Sequence, residues 1–221
     1  MRSNWYPTFL TLLALAAPAG ARDDSPTVLF EEGFASELGS GWSWVREEPG
    51  AWRVEKGALV LRTLPGYLHA KRNNSKNVLL RLPPEAKGSR LAVEAFLESE
   101  PKAEFEHAGV VWYYDDDNYV ALFKEVLDGK PKLQMVTEKE AVPRFAVAAY
   151  GSKGVWLRLL VSGTTVTSQY RESEKDDWQT VGRSELPAAG RARVGVMTGG
   201  APKDAERFVR FKSFRIVRPA K

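Results

Sequence analysis

From Val28 onward, apolar residues recur at every second position, as in Leu91, Val93, Ala95 and Leu97 set against Arg90, Glu94 and Glu98. That is the period of a strand with one face buried, and helical spacing is scarce. The same alternation runs through residues 58–62, 77–82, 155–159, 165–170 and 193–197. Turn formers separate these stretches: Glu48-Pro49-Gly50, Glu55-Lys56-Gly57, Leu64-Pro65-Gly66, Pro83-Pro84, Asp128-Gly129, Ser162-Gly163 and Gly199-Gly200. The pattern predicts an all-β protein, an antiparallel sandwich of two sheets with about twelve to fourteen short strands. Aromatic and β-branched residues at 110–114 and 119–123 flank Asp115-Asp116-Asp117-Asn118, which predicts a hairpin. Both faces of that hairpin are apolar, so it belongs in the middle of a sheet. Val209 and Phe211 alternate in one phase and Phe214 and Ile216 in the other, which places a bulge at Lys212-Ser213.

Composition narrows the picture. The chain has 221 residues, 43% of them hydrophobic, which is enough for one good core. The net charge of +4 comes from lysines and arginines scattered among acids, so nucleic acid is not an expected partner. With no cysteine there is no disulfide, thiolate metal site or thiol nucleophile. Arg2, the apolar run 10–17 and Ala19-Gly20-Ala21 form a signal-peptide pattern over residues 1–21. Pro18 closes the run too early for a membrane anchor, which needs about twenty apolar residues. The expectation is a secreted or periplasmic protein with one domain at 22–221, and no membrane association after cleavage.

Gly41-Trp42-Ser43-Trp44-Val45, followed by Trp52-Arg53-Val54-Glu55-Lys56-Gly57-Ala58-Leu59, resembles the opening of the concanavalin A-like domain at the C-terminus of bacterial β-xylosidases and in related bacterial domains of unknown function. Later landmarks keep the same order: residues 77–81, Ala108-Gly109-Val110-Val111 with 115–120, residues 155–159, and Arg193-Val194-Gly195-Val196. The resemblance spans nearly all of residues 28–218 and implies a jelly roll of the concanavalin A-like lectin/glucanase type with a concave face. It further implies an accessory module beside a glycosidase. No catalytic domain precedes the module in this sequence, so the implied glycosidase is expected to be either missing or separate. Phe211-Lys212-Ser213-Phe214 departs from the family, where acidic residues commonly stand between the two phenylalanines. That weakens the case for a calcium site.

Glycosidases on this general fold carry carboxylates at alternate strand positions facing a cleft. Glu104-Phe105-Glu106 and Glu172-Ser173-Glu174-Lys175-Asp176 have that spacing but sit in turn-like, charge-rich stretches, so both are expected to be solvated loops and no catalytic residue is assigned. Neither His69 nor His107 belongs to a metal pair; His69 follows Leu64-Pro65-Gly66-Tyr67 and is a candidate to line a site, while His107 is expected at a rim or in packing. Consecutive carboxylates in the 115–118 turn diverge, so a solvated turn is favoured there over calcium. Calcium is the one cofactor left open, with Glu31 and Glu32 as contributors by family analogy.

Sugar rings stack on aromatic planes while polar neighbours bind their hydroxyls. If Val155, Leu157 and Leu159 face the core, Trp156 and Arg158 share the outer face, with Gln169 and Arg171 on the next strand. These four, together with Trp112, Tyr114 and His69, are the candidate carbohydrate-binding residues. Trp42, Trp44 and Trp52 are expected to pack the ends of the sandwich. The reading is a non-catalytic, carbohydrate-associated module with a polysaccharide or oligosaccharide ligand and a separate glycosidase or other secreted protein as partner. A structural or protein-interaction sandwich and a glycoside hydrolase are the alternatives.

Overall fold

The alternation resolves into fifteen strands in a computed structural model that describes Met1 and residues 25–85 and 90–220. The signal segment expected at 1–21 lies, apart from Met1, outside the described residues. The strands are β1 (Thr27–Glu32), β2 (Trp42–Val45), β3 (Trp52–Glu55), β4 (Ala58–Arg62), β5 (Val78–Arg81), β6 (Arg90–Glu98), β7 (His107–Asp115) and β8 (Asn118–Leu127). They continue with β9 (Lys130–Lys139), β10 (Val142–Ala149), β11 (Gly154–Ser162), β12 (Thr165–Arg171), β13 (Gln179–Glu185), β14 (Arg193–Gly199) and β15 (Phe208–Arg218). The one helical element among the described residues is a 3-10 turn, Pro49–Ala51, at the predicted Glu48-Pro49-Gly50 turn.

The strands form two antiparallel sheets packed as a concanavalin A-like sandwich. One sheet has the order β13-β12-β11-β6-β15-β4-β3, with β1 also pairing with β15 to make eight strands; the other has the order β10-β9-β8-β7-β14-β5-β2. The 110–123 hairpin forms β7 and β8, in the interior of the seven-stranded sheet as its two-sided apolarity requires. The pairing of β15 with β6 slips between Phe211 and Ser213, the bulge expected from the change of phase.

Inward residues of both sheets interlock. Val155, Leu157 and Leu159 of β11 pack with Val93, Ala95 and Leu97 of β6 and, from the facing sheet, with Val110, Val120, Leu122 and Val196. Trp42 meets Phe214 edge-on at 4.9 Å and Trp44 tilts against Trp52 at 4.9 Å, so these tryptophans are packing residues as expected. The buried Lys124 of β8 ties together the segments after β6 and before β11: its Nζ donates to the carbonyls of Ser99, Ser152 and Lys153 at 2.5, 2.6 and 2.8 Å. Three acceptors match the three donors of an ammonium group and offset its removal from water.

Leu157 has no exposed surface. Leu157→Ala is therefore expected to lower stability by about 2–5 kcal/mol in denaturant unfolding, the range for deleting a buried leucine side chain.

Candidate functional site

β7 and β8 are apolar on both sides, so the seven-stranded sheet must cover its outer face as well as its inner one. The cover is the chain between β4 and β5, residues 63–77, which lies across Val111, Tyr113, Tyr119, Ala121, Phe123 and Val136 with Leu68 packed against them. Polar contacts hold it there. Tyr119 Oη donates to the Leu68 carbonyl, Ala70 N donates to Glu138 Oε2 at 3.0 Å, Asn73 Nδ2 to Asp117 Oδ1 at 2.6 Å, and Gly200 N to the Gly66 carbonyl at 3.0 Å. Arg46 adds a three-way tie: it forks onto Asp116 at 2.6 and 2.9 Å and donates through Nε to the Ser75 carbonyl at 2.6 Å. A side chain at Gly199 would stand 2.9 Å from the His107 ring, and at Gly200 2.1 Å from the Phe105 carbonyl, where φ is +79°. Glycine at both positions lets the loop and the strand end close together.

The loop covers only part of the face. Beside it opens a cleft of about 900 Å³, walled by Tyr67, His69, Phe105 and Phe145 and floored by Tyr119, Phe123, Val136 and the polar side chains of His107, Glu125 and Gln134. Phe145 and Phe105 are each 52% exposed, and the Phe145 ring stacks on His69 at 5.9 Å. The floor is the unusual part. His107 and Glu125 are cross-strand partners and both are buried, yet His107 Nε2 and Glu125 Oε1 have no hydrogen-bond partner. Burial lowers the His107 pKa to about 4, against a hydrogen bond to the Phe105 carbonyl that works the other way. Burial, aided by the Glu104 carboxylate, pushes the Glu125 carboxyl up to about 8. Glu138, also buried, is raised by desolvation.

Two buried acids on one sheet face raise the question of glycoside hydrolysis. Glu138 pairs in register with Tyr119, and Tyr119 and Glu125 are six residues apart on β8, roughly 20 Å at the rise of a strand. A hydrolytic pair works at about 5–9.5 Å. Glu125 and Glu138 therefore do not form one.

The sequence-predicted candidates fall in several places. His69 lines the cleft. Trp112 points into the core between the sheets, and Tyr114 packs against that same core, so neither lies on the outer face of its strand. Trp156, Arg158, Gln169 and Arg171 do share the outer face of the eight-stranded sheet, but they are engaged with one another. Arg158 stacks on Trp178 at 4.1 Å, Trp178 on Arg171 at 4.3 Å, Arg171 on Trp156 at 5.6 Å and Trp156 on Arg215 at 4.2 Å. Arg158 also donates to Gln169 Oε1 from two nitrogens, at 3.0 and 2.7 Å, and pairs with Glu94 at 3.6 Å. Burial draws the Arg158 guanidinium down to about 10. Trp156 keeps only 7% of its surface, so the plane that a sugar would need is already covered by guanidinium groups.

The acidic stretches correct two expectations. Asp116 and Asp117 are committed to Arg46 and Asn73 and are not simply solvated, while Asp115 Oδ1 accepts from Asp117 N and Asn118 Nδ2. Glu106, expected in a solvated loop, is buried and accepts from Lys102 N, Ala103 N and Arg207. Glu32 accepts from Phe34 N, Gly39 N and Trp42 Nε1, which orders the 33–41 loop, whereas Glu31 is exposed. Among the described residues no group of three or more His, Cys, Asp or Glu side chains is placed to hold a metal ion. Lys212, between Phe211 and Phe214, pairs with Glu98 at 2.6 Å.

Residues 31–216 match the family described as the β-xylosidase C-terminal concanavalin A-like domain, and the chain belongs to that family. It corresponds to the accessory C-terminal module of such enzymes and is a carbohydrate-associated, non-catalytic domain. Among solved structures it is similar to the GH43 protein BlXynB of Bacillus licheniformis, with 19% identity and a TM-score of 0.74 over 85% of this chain and 39% of that one. It is also similar to a xylan β-1,4-xylosidase of Bacillus halodurans, with 20% identity and a TM-score of 0.69 over 84% of this chain and 38% of that one. A functionally unknown protein of Saccharomyces cerevisiae matches over 82% of this chain and 98% of its own, with 20% identity and a TM-score of 0.65. These similarities show the fold. The chain thus spans 39% of the length of BlXynB. Among curated proteins none matches the sequence. No helix among the described residues is long and apolar enough to cross a membrane.

His107, Glu125, Gln134 and Phe145 were not singled out as binding residues from sequence. The available signal was Lys124-Glu125, a charged pair inside the otherwise apolar Tyr119–Leu127 run. One of the two had to be neutralised toward each face.

Because Trp156 is held by Phe96 and two arginines, Trp156→Ala is expected to destabilise by about 3–5 kcal/mol in denaturant melts, as for other buried large aromatic residues. Saccharide binding by the folded variant should match the wild type. A loss of binding at unchanged stability would instead make that face the ligand site.

Proposed function

We propose that the chain is an exported saccharide-binding module whose ligand lies in the cleft over the seven-stranded sheet, and that it serves beside a separate glycosidase. The observation that carries this reading is the cleft itself: exposed aromatic rings at its wall, with buried polar atoms lacking partners at its floor. Aromatic planes that take the C–H face of a sugar, with a few convergent polar groups below them, are the make-up of a small-molecule site. The family supports a plant- or microbial-type polysaccharide ligand, with xylan the first to test because one structure of similar fold is a xylan β-1,4-xylosidase. Export rests on the signal-peptide pattern of residues 1–21.

A second reading has its own observation. Val142, Phe145 and Val147 are exposed on β10, an edge of the seven-stranded sheet, where a protein partner could dock. Affinity electrophoresis in soluble xylan and other polysaccharides separates the two, because only a saccharide binder is retarded. Phe145→Ala should weaken saccharide binding by about tenfold, or ~1.4 kcal/mol, with an unchanged melting temperature, since the ring is half-exposed. A stable complex with a secreted protein and no retardation by any polysaccharide would favour the docking reading.

Export is checked by N-terminal sequencing of protein from the producing cell. The expected first residue is Arg22. An intact Met1 on membrane-bound material would overturn the assignment.

A further inference from the structure

We propose that His107 and Glu125 form a neutral donor–acceptor pair that reads a hydroxyl group of an uncharged saccharide in the cleft. The inference rests on the saccharide reading above and specifies the class of ligand and the side chains that select it.

The tautomer of His107 follows from one contact. Nδ1 lies 2.9 Å from the Phe105 carbonyl, and a carbonyl can only accept. Nδ1 therefore carries the proton, leaving Nε2 as a bare acceptor, and Nε2 has no partner in the protein. The ring is fixed between Phe123 at 4.5 Å and Tyr67 at 6.0 Å, over Gly199. Glu125 stands opposite on β8, and cross-strand partners have Cβ atoms about 4.5–5.5 Å apart. With its carboxyl pushed up to about 8, Glu125 is largely protonated at neutral pH and has an O–H to donate.

A free acceptor beside a free donor is the complement of a hydroxyl group, which both donates and accepts. A carboxylate can only accept, so it would satisfy Glu125 and face the lone pair of Nε2. An ammonium would have to draw Glu125 into its charged form and pass Lys71 and Arg72, which line the same cleft. The other charged groups around Glu125 are already spoken for. Lys132, its register partner on β9, pairs with Asp128 at 2.6 Å, and Glu104 accepts from Asp128 N and Gly129 N. Ionising Glu125 would remove its donor and place a buried charge beside a neutral imidazole. Binding should therefore weaken as pH rises through about 8.

Calorimetric titration of the full chain, as processed by the cell, with xylotetraose, cellotetraose and tetragalacturonate tests this. At least one neutral probe should bind at pH 6, with tetragalacturonate tenfold or more weaker, and its affinity should fall about tenfold by pH 9.5. Glu125→Gln keeps a neutral donor and should bind within threefold of wild type at pH 6 while losing the fall with pH. Glu125→Leu should weaken binding at least tenfold at pH 6. Folding is checked independently by melting curves. An acid whose folded pKa is raised stabilises most below its unfolded pKa near 4.5 and loses that contribution as pH climbs toward about 8, so Glu125→Gln should gain stability on wild type from pH 5 to 8. A flat wild-type pH profile, full affinity in Glu125→Leu, or preference for tetragalacturonate would overturn the pair. If Phe145→Ala still weakens binding in that case, the saccharide reading stands without it. No binding of either neutral probe would overturn both.

Discussion

The fold turns on a constraint set by two strands that are apolar on both sides. β7 and β8 contribute Val110, Val120 and Leu122 to the core, and Val111, Tyr113, Tyr119, Ala121 and Phe123 to the opposite face. A sheet face of that composition cannot be left to water, and burying it with a loop brings in backbone polar groups that need partners. The 63–77 segment meets both demands through its contacts with Glu138, Asp117, Thr198 and Arg46. Where the segment stops short, the remainder of the apolar face becomes a cleft. The candidate site is thus a by-product of how the second face of a two-sided sheet is covered.

Period-two alternation was sufficient for the class, the antiparallel sandwich, the inward phase of β11 and the bulge in β15, because each depends on which residues are apolar at neighbouring positions. Strand order was not visible in that pattern, since nothing in Leu59 or Phe211 announces that β15 will lie between β4 and β6. The site was less legible still. Parity correctly put Trp156 and Arg158 on one outer face but could not show that Trp178, from a charge-rich loop, would fold back and complete a stack with them. For Trp112 parity offered two faces, and only the packing of the opposite sheet decides that it faces inward.

The buried charges show the same difference between local and long-range information. Glu106 looked like part of a solvated acidic loop, and its burial depends on Arg207, a hundred residues away. Asp116 looked like one member of a divergent turn, and its partner is Arg46 on another strand connection. In each case a carboxylate surrounded by other acids in sequence is matched in space by a guanidinium that the chain delivers from elsewhere. With no cysteine available, these ion pairs and the three carbonyls around Lys124 take over the joining of distant loops.

The alternating row of Arg158, Trp178, Arg171, Trp156 and Arg215 gives the two outer faces of the sandwich opposite characters. On the eight-stranded side the planes of Trp156 and Trp178 are spent within the molecule, while on the seven-stranded side those of Phe105 and Phe145 are left facing outward. A sandwich built this way has a front and a back. A polymer chain held by it would be gripped from one side only, so the orientation of the module, and of anything that travels with it, would be fixed relative to the surface of a polysaccharide.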